Sequence, residues 1–284
     1  MSRFSIGVMV DSFRLDLKEG IAKSAEVGAS GIQIYATSGE MAPENLPLTK
    51  RKEILDMIKS HGLVVSALCG DLGGHGFAIP EDNSKKIEKS KRILELARDL
   101  ETRVVTTHIG VVPEDSNHPR YRILQDACEE LGEYGDKLGA YFAIETGPEI
   151  AIVLKNFLDS LKSSGVRVNY DPANFAMVTG DDPVKGVYTL RDYIVHTHAK
   201  DGIMRKKSDP EKVYNFFADG GIEDFRLEDY FLETPLGEGH VDFPKWLDAL
   251  EEIGYGGYLT IEREVGDTPE KDIAQAVTFL EKLI

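Results

Sequence analysis

Cysteine is nearly absent: a chain of 284 residues holds only Cys69 and Cys128. They stand far apart with no Cys-x-x-Cys partner, which excludes a disulfide framework or a zinc knuckle and fits a reducing cytoplasm. Long apolar runs are missing too. The stretch 4–10 is too short to span a bilayer and lacks a basic flank with a small-residue cleavage site, so it reads as a first strand; no membrane association is expected. Positive charge is sparse. Against 49 Asp and Glu there are 33 Lys and Arg, a formal net charge of -16, and no basic block exceeds Arg205-Lys206-Lys207. Such a surface repels a phosphate backbone, which argues against nucleic acid as a partner. No low-complexity tail or linker interrupts the chain, and no Gly-x-Gly-x-x-Gly turn follows the first strand, so a dinucleotide-binding domain is not indicated. The loop 70–76, Gly-Asp-Leu-Gly-Gly-His-Gly, lacks the lysine and following hydroxyl of a phosphate-binding loop and reads as the rim of a pocket.

What the chain does have is alternation. Strand-like runs at 4–10, 31–35, 64–69, 103–107, 141–144, 166–170, a seventh reaching His198, and 257–261 alternate with amphipathic helical stretches. The helical stretches lie near 15–27, 49–61, 80–99, 121–138, 150–163, 244–253 and 269–283, with Gly28 and Gly62 as closing glycines. Eight βα units with no break in composition predict one α/β domain over 1–284, a closed (β/α)8 TIM barrel rather than an open doubly wound sheet. One connection is too long for an ordinary loop, at about 202–242 between strand seven and helix seven. Its Tyr214, Phe216, Phe217, Phe225, Tyr230 and Phe231 predict a lid over the barrel mouth or a face packed on another subunit of a homo-oligomer.

In a parallel barrel, chemistry sits where strands end. Glu145 ends the fifth strand, Asp171 the sixth, His198 the seventh and Glu262 the eighth, and closure makes these four ends neighbours. His196 and His198 share a strand face, with His198 one step nearer the mouth, so His198 is the expected ligand and His196 a packed strand histidine. Two ionised carboxylates about 4 Å apart repel by roughly 4 kcal/mol at an effective dielectric near 20. Three of them crowded together therefore need a cation or protonation, and one divalent metal ion meets that need. Three carboxylates and an imidazole form a hard, oxygen-rich set that suits Mn²⁺, Mg²⁺ or Co²⁺, with Zn²⁺ also compatible. Any one of these carboxylates alone reads as a solvated loop residue; four ligand types at successive strand ends do not. His108, at the end of strand four, is a further candidate at the mouth. Phe13, Tyr35 and Phe77 are also placed there and read as packing.

The motifs Tyr170-Asp171-Pro172-Ala173-Asn174, His196-Thr197-His198-Ala199-Lys200-Asp201, Leu236-Gly237-Glu238-Gly239-His240-Val241-Asp242-Phe243-Pro244 and Thr260-Ile261-Glu262 occur in that order. With them the chain resembles, over essentially its whole length, the sugar phosphate isomerase/epimerase family with a xylose-isomerase-like barrel. The resemblance implies that Glu145, Asp171, His198 and Glu262 bind one divalent metal and that Glu145 and Glu262 also move protons. His108, Asn174, Lys200 and Arg205 are the expected substrate contacts, although Lys200 and Asp201 serve equally well as supports of the mouth, as do Glu238 and His240. Ketose 3-epimerases of this kind carry a histidine three residues after the strand-six aspartate and an arginine six residues after the metal histidine. Here Asn174, which matches the broader family, and Met204 stand there, with Arg205 adjacent.

The expected activity is a metal-dependent isomerisation or epimerisation of a small carbohydrate or polyol, by proton transfer next to a carbonyl. A metal held by a ketose's carbonyl and neighbouring hydroxyl lowers the barrier to proton loss and stabilises the enediolate. Glutamates on opposite faces of the substrate would invert a centre, and on one face would shuttle a proton between carbons, so epimerase and isomerase both stay open. A dehydratase or lyase on a keto-polyol or keto-sugar is the alternative, since the same proton loss can end in departure of a β-hydroxyl. An apurinic-site endonuclease is a weaker rival: Asn174 stands where that enzyme has a histidine ligand, and the surface is acidic. A non-catalytic sugar-binding barrel is disfavoured because all four ligand positions are filled.

Overall fold

The computed structural model describes residues 2–284. Eight parallel strands close on themselves: β1 (Ser5–Met9), β2 (Gly31–Tyr35), β3 (Val64–Cys69), β4 (Val104–Thr107), β5 (Tyr141–Glu145), β6 (Val166–Tyr170), β7 (Ile194–Ala199) and β10 (Tyr258–Ile261). Around the barrel they run β1-β10-β7-β6-β5-β4-β3-β2. Apolar residues predominate in β1, β2, β3, β5 and β10, as parallel strands with helices on one face and barrel core on the other should have, and polar residues interrupt each of them. The helices are α1 (Leu17–Glu26), α2 (Leu48–Ser60), α3 (Pro80–Asp99), α4 (Pro119–Leu138), α5 (Ala151–Asp159), the single turn α6 (Pro172–Asn174), α7 (Pro183–Leu190), α8 (Pro210–Ala218), α9 (Phe243–Glu252) and α10 (Pro269–Glu281). The (β/α)8 expectation holds, and among the described residues no helix is long and apolar enough to cross a membrane.

Helix starts follow local chemistry. Pro occupies the first turn of α3, α4 and α6 to α10, where its missing N–H costs nothing. Asp16, Asp171, Asp182, Asp209 and Asp242 cap α1, α6, α7, α8 and α9 by accepting backbone N–H groups. The Asp16 cap explains why α1 begins at Leu17 rather than at 15, and α5 stops at Asp159, short of the expected 163. Outside the barrel, helices pack through aromatics: the Phe243 ring meets Trp246 at 5.6 Å and Phe279 of α10 at 5.3 Å, both edge-on. Trp246 is fully buried, and truncating it to Ala would cost about 3–5 kcal/mol.

The long connection carries its own structure. β8 (Asp201–Met204) and β9 (Phe231–Thr234) form an antiparallel hairpin beside the barrel, with α8 between them in sequence.

Candidate active site and metal centre

Strand periodicity stacks two polar layers inside the mouth. The deeper one holds Asn169, His196 and Thr260, each two residues before a terminal ligand and so on the same face, together with Gln33 of β2 and Thr106 of β4. Gly7 gives this layer room: it pairs with Thr260, and a Cβ there would sit 2.8 Å from Thr260 Oγ1. Thr260 Oγ1 donates to His196 Nε2 at 3.0 Å, while His196 Nδ1 donates to Asn169 Oδ1 at 2.8 Å. Both ring nitrogens are thus engaged, and burial holds the pKa of His196 well below the usual imidazole value. It is the packed strand histidine that the sequence reading expects.

The upper layer is a group that could hold a metal ion. Glu145, Asp171, His198 and Glu262 are all buried, and one donor atom from each lies within 4.8 Å of all the others. His198 Nδ1 is 3.6 Å from Glu145 Oε1, 3.7 Å from Asp171 Oδ2 and 3.3 Å from Glu262 Oε2. These spacings exceed a good N–H···O bond, and His198 Nδ1 and Asp171 Oδ2 are buried with no hydrogen-bond partner among the described residues. Orphaned buried polar atoms are costly, and here two of them point into one acidic cluster. Electrostatics points the same way. Burial works against a charged His198, yet Glu262 and Glu145 outweigh it and push its pKa well above the usual value: the three carboxylates demand positive charge beside Nδ1. A divalent cation would supply that charge and satisfy both orphans at once.

Surrounding bonds aim the ligands. Gln33 Nε2 donates to Thr106 Oγ1 at 2.8 Å, which leaves Gln33 Oε1 to accept from His198 Nε2 at 3.1 Å. That bond places the His198 proton on Nε2 and frees the Nδ1 lone pair. Asn169 Nδ2 donates to Glu145 Oε2 at 3.1 Å and Asn174 Nδ2 to Glu145 Oε1 at 3.3 Å, fixing the plane of that carboxylate. Gly147 permits this, since a Cβ there would lie 2.4 Å from the Asn174 Cβ. Asp171 Oδ1 accepts from Ala173 N and Asn174 N at 2.8 and 3.1 Å, which turns Oδ2 toward His198. Burial raises the cost of ionising Glu262, but His198 and Lys200 outweigh it and hold its pKa well below the carboxylate range; Lys200 Nζ donates to Glu262 Oε2 at 2.9 Å.

Over this floor lies a cavity of about 80 Å³, bounded by His108, Gly147 and Asn174 of the barrel and by Val213, Tyr214 and Phe217 of α8. α8 is tied down at both ends, by Arg120 to Glu211 at 2.7 Å and by His75 to Asp219 at 2.8 Å. The insertion therefore covers the mouth as a lid. Phe13 and Phe77 are buried in packing, and Tyr35 keeps 37% of its surface exposed.

The chain matches, over residues 21–283, the family model described as Xylose isomerase-like TIM barrel. The chain belongs to this family. Its similarity to the Rhizopine catabolism protein MocC of Rhizobium meliloti is 27% identity over 271 residues, covering 87% of this chain and 74% of that protein. A solved xylose isomerase domain protein from Planctomyces limnophilus superposes with a TM-score of 0.78 at 24% identity, over 99% of this chain and 96% of its own. The probable 3-DHS dehydratase AsbF from Bacillus anthracis gives 0.74 at 19% identity, over 98% and 99%. A D-tagatose 3-epimerase-like protein also gives 0.74, at 20% identity over 99% and 98%. These likenesses establish the fold; epimerase, isomerase and dehydratase names all occur on the xylose isomerase-like barrel.

The structure sorts the expected substrate contacts. His108 and Asn174 line the cavity, and His108 Nδ1 donates to Asp71 Oδ2 at 2.8 Å with Nε2 3.7 Å from Glu145 Oε1. Lys200 is buried among Glu262, Glu264 and Glu233 and lines no open space, so it positions carboxylates. Arg205 does not line the cavity: it is exposed and donates to the Glu228 carbonyl oxygen at 2.8 Å. Asp201 is a scaffold, its two oxygens accepting from the backbone N–H groups of Gly202, Gly237, Gly239 and Val241. Glu238 and His240 lie exposed on that same loop. Gln33, Asn169 and Asp71 were not singled out from sequence, whereas Tyr214 was among the aromatics expected in a lid. For Asn169 the signal was there, a polar residue two positions before a ligand.

Proposed function

We propose that this protein is a divalent-metal-dependent isomerase or epimerase that moves a proton on the carbon beside the carbonyl of a small ketose or keto-polyol. The observation that carries this reading is the buried set of Glu145, Asp171, His198 and Glu262, with orphaned Asp171 Oδ2 and His198 Nδ1 facing each other and two glutamates beside them. Asp171 and His198 serve as ligands only, whereas Glu145 and Glu262 are ligands that also hold or accept the moving proton. A bound Mn²⁺, Mg²⁺ or Co²⁺, with Zn²⁺ compatible, would supply positive charge to the oxygen that becomes negative as the neighbouring carbon loses its proton. Glu262, kept ionised by Lys200, is suited to take that proton, and Glu145, with its plane fixed by Asn169 and Asn174, to return it. α8 shuts water away from the exposed carbanion-like carbon.

His108 supports a second reading as a dehydratase. Asp71 Oδ2 accepts from His108 Nδ1 at 2.8 Å and holds the imidazole at the cavity wall, within reach of a departing hydroxyl. One experiment separates the readings: incubation of the Mn²⁺-loaded protein in D₂O with a panel of ketoses and inososes. Deuterium gained next to the carbonyl with all oxygens retained supports isomerase or epimerase, and loss of water identifies the dehydratase. Metal-loaded protein that exchanges no proton in any panel member would sink both.

A further inference from the structure

Resting on that reading, we infer that the mouth takes an uncharged substrate, a free ketose or keto-polyol, and that Glu264 is the specificity-determining residue that keeps phosphorylated and carboxylated sugars out. Two cations are buried at the mouth, Lys200 and Arg263, and neither is available to an anion. Lys200 Nζ donates to Glu262 Oε2 at 2.9 Å and to Glu264, with Glu233 Oε2 at 3.9 Å. Arg263 donates to Glu233 Oε1 at 2.6 Å and to Asp272 Oδ2 at 2.9 Å. Four carboxylates pair with these two cations, and Glu145 and Asp171, clustered with Glu262, bring the carboxylates at this end of the barrel to six. Adding the two charges of a divalent ion still leaves an excess of two negative charges, by the subtraction six minus four.

The lid does not correct this balance. Among the described residues, no Lys or Arg lines the cavity. Lys212 lies over the Phe225 ring at 4.7 Å, Lys206 over Tyr230 at 5.2 Å, and Arg205 is held by the Glu228 carbonyl. A phosphate or carboxylate entering here would find only hydrogen-bonding amides, a paired imidazole and apolar lid side chains, with like charge beneath. Among the carboxylates around Lys200, Glu264 is the accessible one: its side chain is 58% exposed, against 4% for Glu233 and 8% for Glu262. An anion seeking Lys200 therefore meets Glu264 first. Glu264→Gln removes one charge and keeps the side chain's size, while the Glu264 N–H still donates to Glu233 and keeps the loop in place.

The test uses Mn²⁺-loaded wild type and Glu264→Gln with D-fructose, D-tagatose, their 6-phosphates and inorganic phosphate. Deuterium exchange on the free ketoses should exceed that on the 6-phosphates by about 100-fold in kcat/KM at low salt, and added KCl should narrow the gap. In Glu264→Gln the 6-phosphates should gain about tenfold, and inorganic phosphate should bind about tenfold tighter by calorimetry. A wild type that prefers the 6-phosphates overturns the inference, as does equal phosphate affinity in both proteins. If no ketose of either kind exchanges, the proposed reaction fails, yet the phosphate titration still decides this inference, because it needs no turnover.

Discussion

Gln33→Met tests whether the deeper polar layer sets the metal site. Gln33 is fully buried, and Met matches its size without a donor or an acceptor. The change removes the bond to Thr106 Oγ1 at 2.8 Å and the acceptor that His198 Nε2 meets at 3.1 Å. Asn169 cannot take over, because its oxygen is engaged by His196 Nδ1 at 2.8 Å and only its NH₂ faces His198. His198 then gains nothing by keeping its proton on Nε2, and a shift to Nδ1 blocks the ligand atom. Loss of such a supporting partner costs about 10- to 100-fold in metal affinity, roughly 1.4–2.8 kcal/mol. Without metal, where Glu262 and Glu145 favour a ring protonated on both nitrogens against the cost of burial, an Nε2–H left buried and unpaired lowers stability by about 1–3 kcal/mol. Calorimetric titration with Mn²⁺ and denaturant unfolding of the metal-free protein read the two effects separately. If stability falls but Mn²⁺ affinity stays within about twofold of wild type, the tautomer argument is refuted.

Four further outcomes are expected. His198→Ala should abolish tight Mn²⁺ binding in calorimetry, while His196→Ala should leave about one ion per chain and mainly lower stability; equal losses of affinity would contradict the layering of the strand. Asp201→Asn removes the acceptor for Gly237 and Gly239 N–H, at 3.0 and 2.9 Å, and should cost about 3–5 kcal/mol in denaturant unfolding without changing metal stoichiometry. Gly147→Ala places a Cβ 2.4 Å from Asn174 at a backbone φ of 141°, so proton exchange should fall by about tenfold or more; an unaltered rate would mean that Asn174 does not orient Glu145. Burial raises the Glu149 carboxyl from about 4.5 to about 8, so between these pH values the folded chain binds more protons than the unfolded one and stability falls as pH rises. Glu149→Gln should flatten the dependence of Tm on pH across that window, and a slope identical to wild type would place the ionised carboxylate in the folded state.

The clustering of Glu145, Asp171, His198 and Glu262 was legible in the sequence because each ends a strand, and barrel closure converts that shared position into proximity. Their supports were harder to read for a physical reason. Gln33 and Thr106 sit inside strands and act across the barrel on residues far away in sequence, so no local pattern marks them. Asp71 was hidden in a glycine-rich loop read only as a rim, yet it holds His108. Arg205 was expected at the site because it adjoins the position of an arginine in the ketose 3-epimerases that the chain resembles, but it is exposed, donates to the Glu228 carbonyl oxygen and does not line the cavity. Lys200 carries the opposite lesson. Its nearness to His198 was readable, whereas its neutralisation depends on Glu233 from β9 and Glu264 beyond β10, which only the folded chain assembles.

The most direct measurement is the rate of solvent deuterium exchange into a ketose or keto-polyol by Glu145→Gln and Glu262→Gln, each with its metal content determined by elemental analysis. Glutamine keeps the shape and one oxygen ligand but cannot accept the proton. A positioned acid or base contributes about 10²- to 10⁴-fold, so each metal-loaded variant should lose exchange by that order while His196→Ala retains it. Metal-loaded variants that both exchange at the wild-type rate would contradict the assignment of Glu145 and Glu262 as the proton-transfer pair.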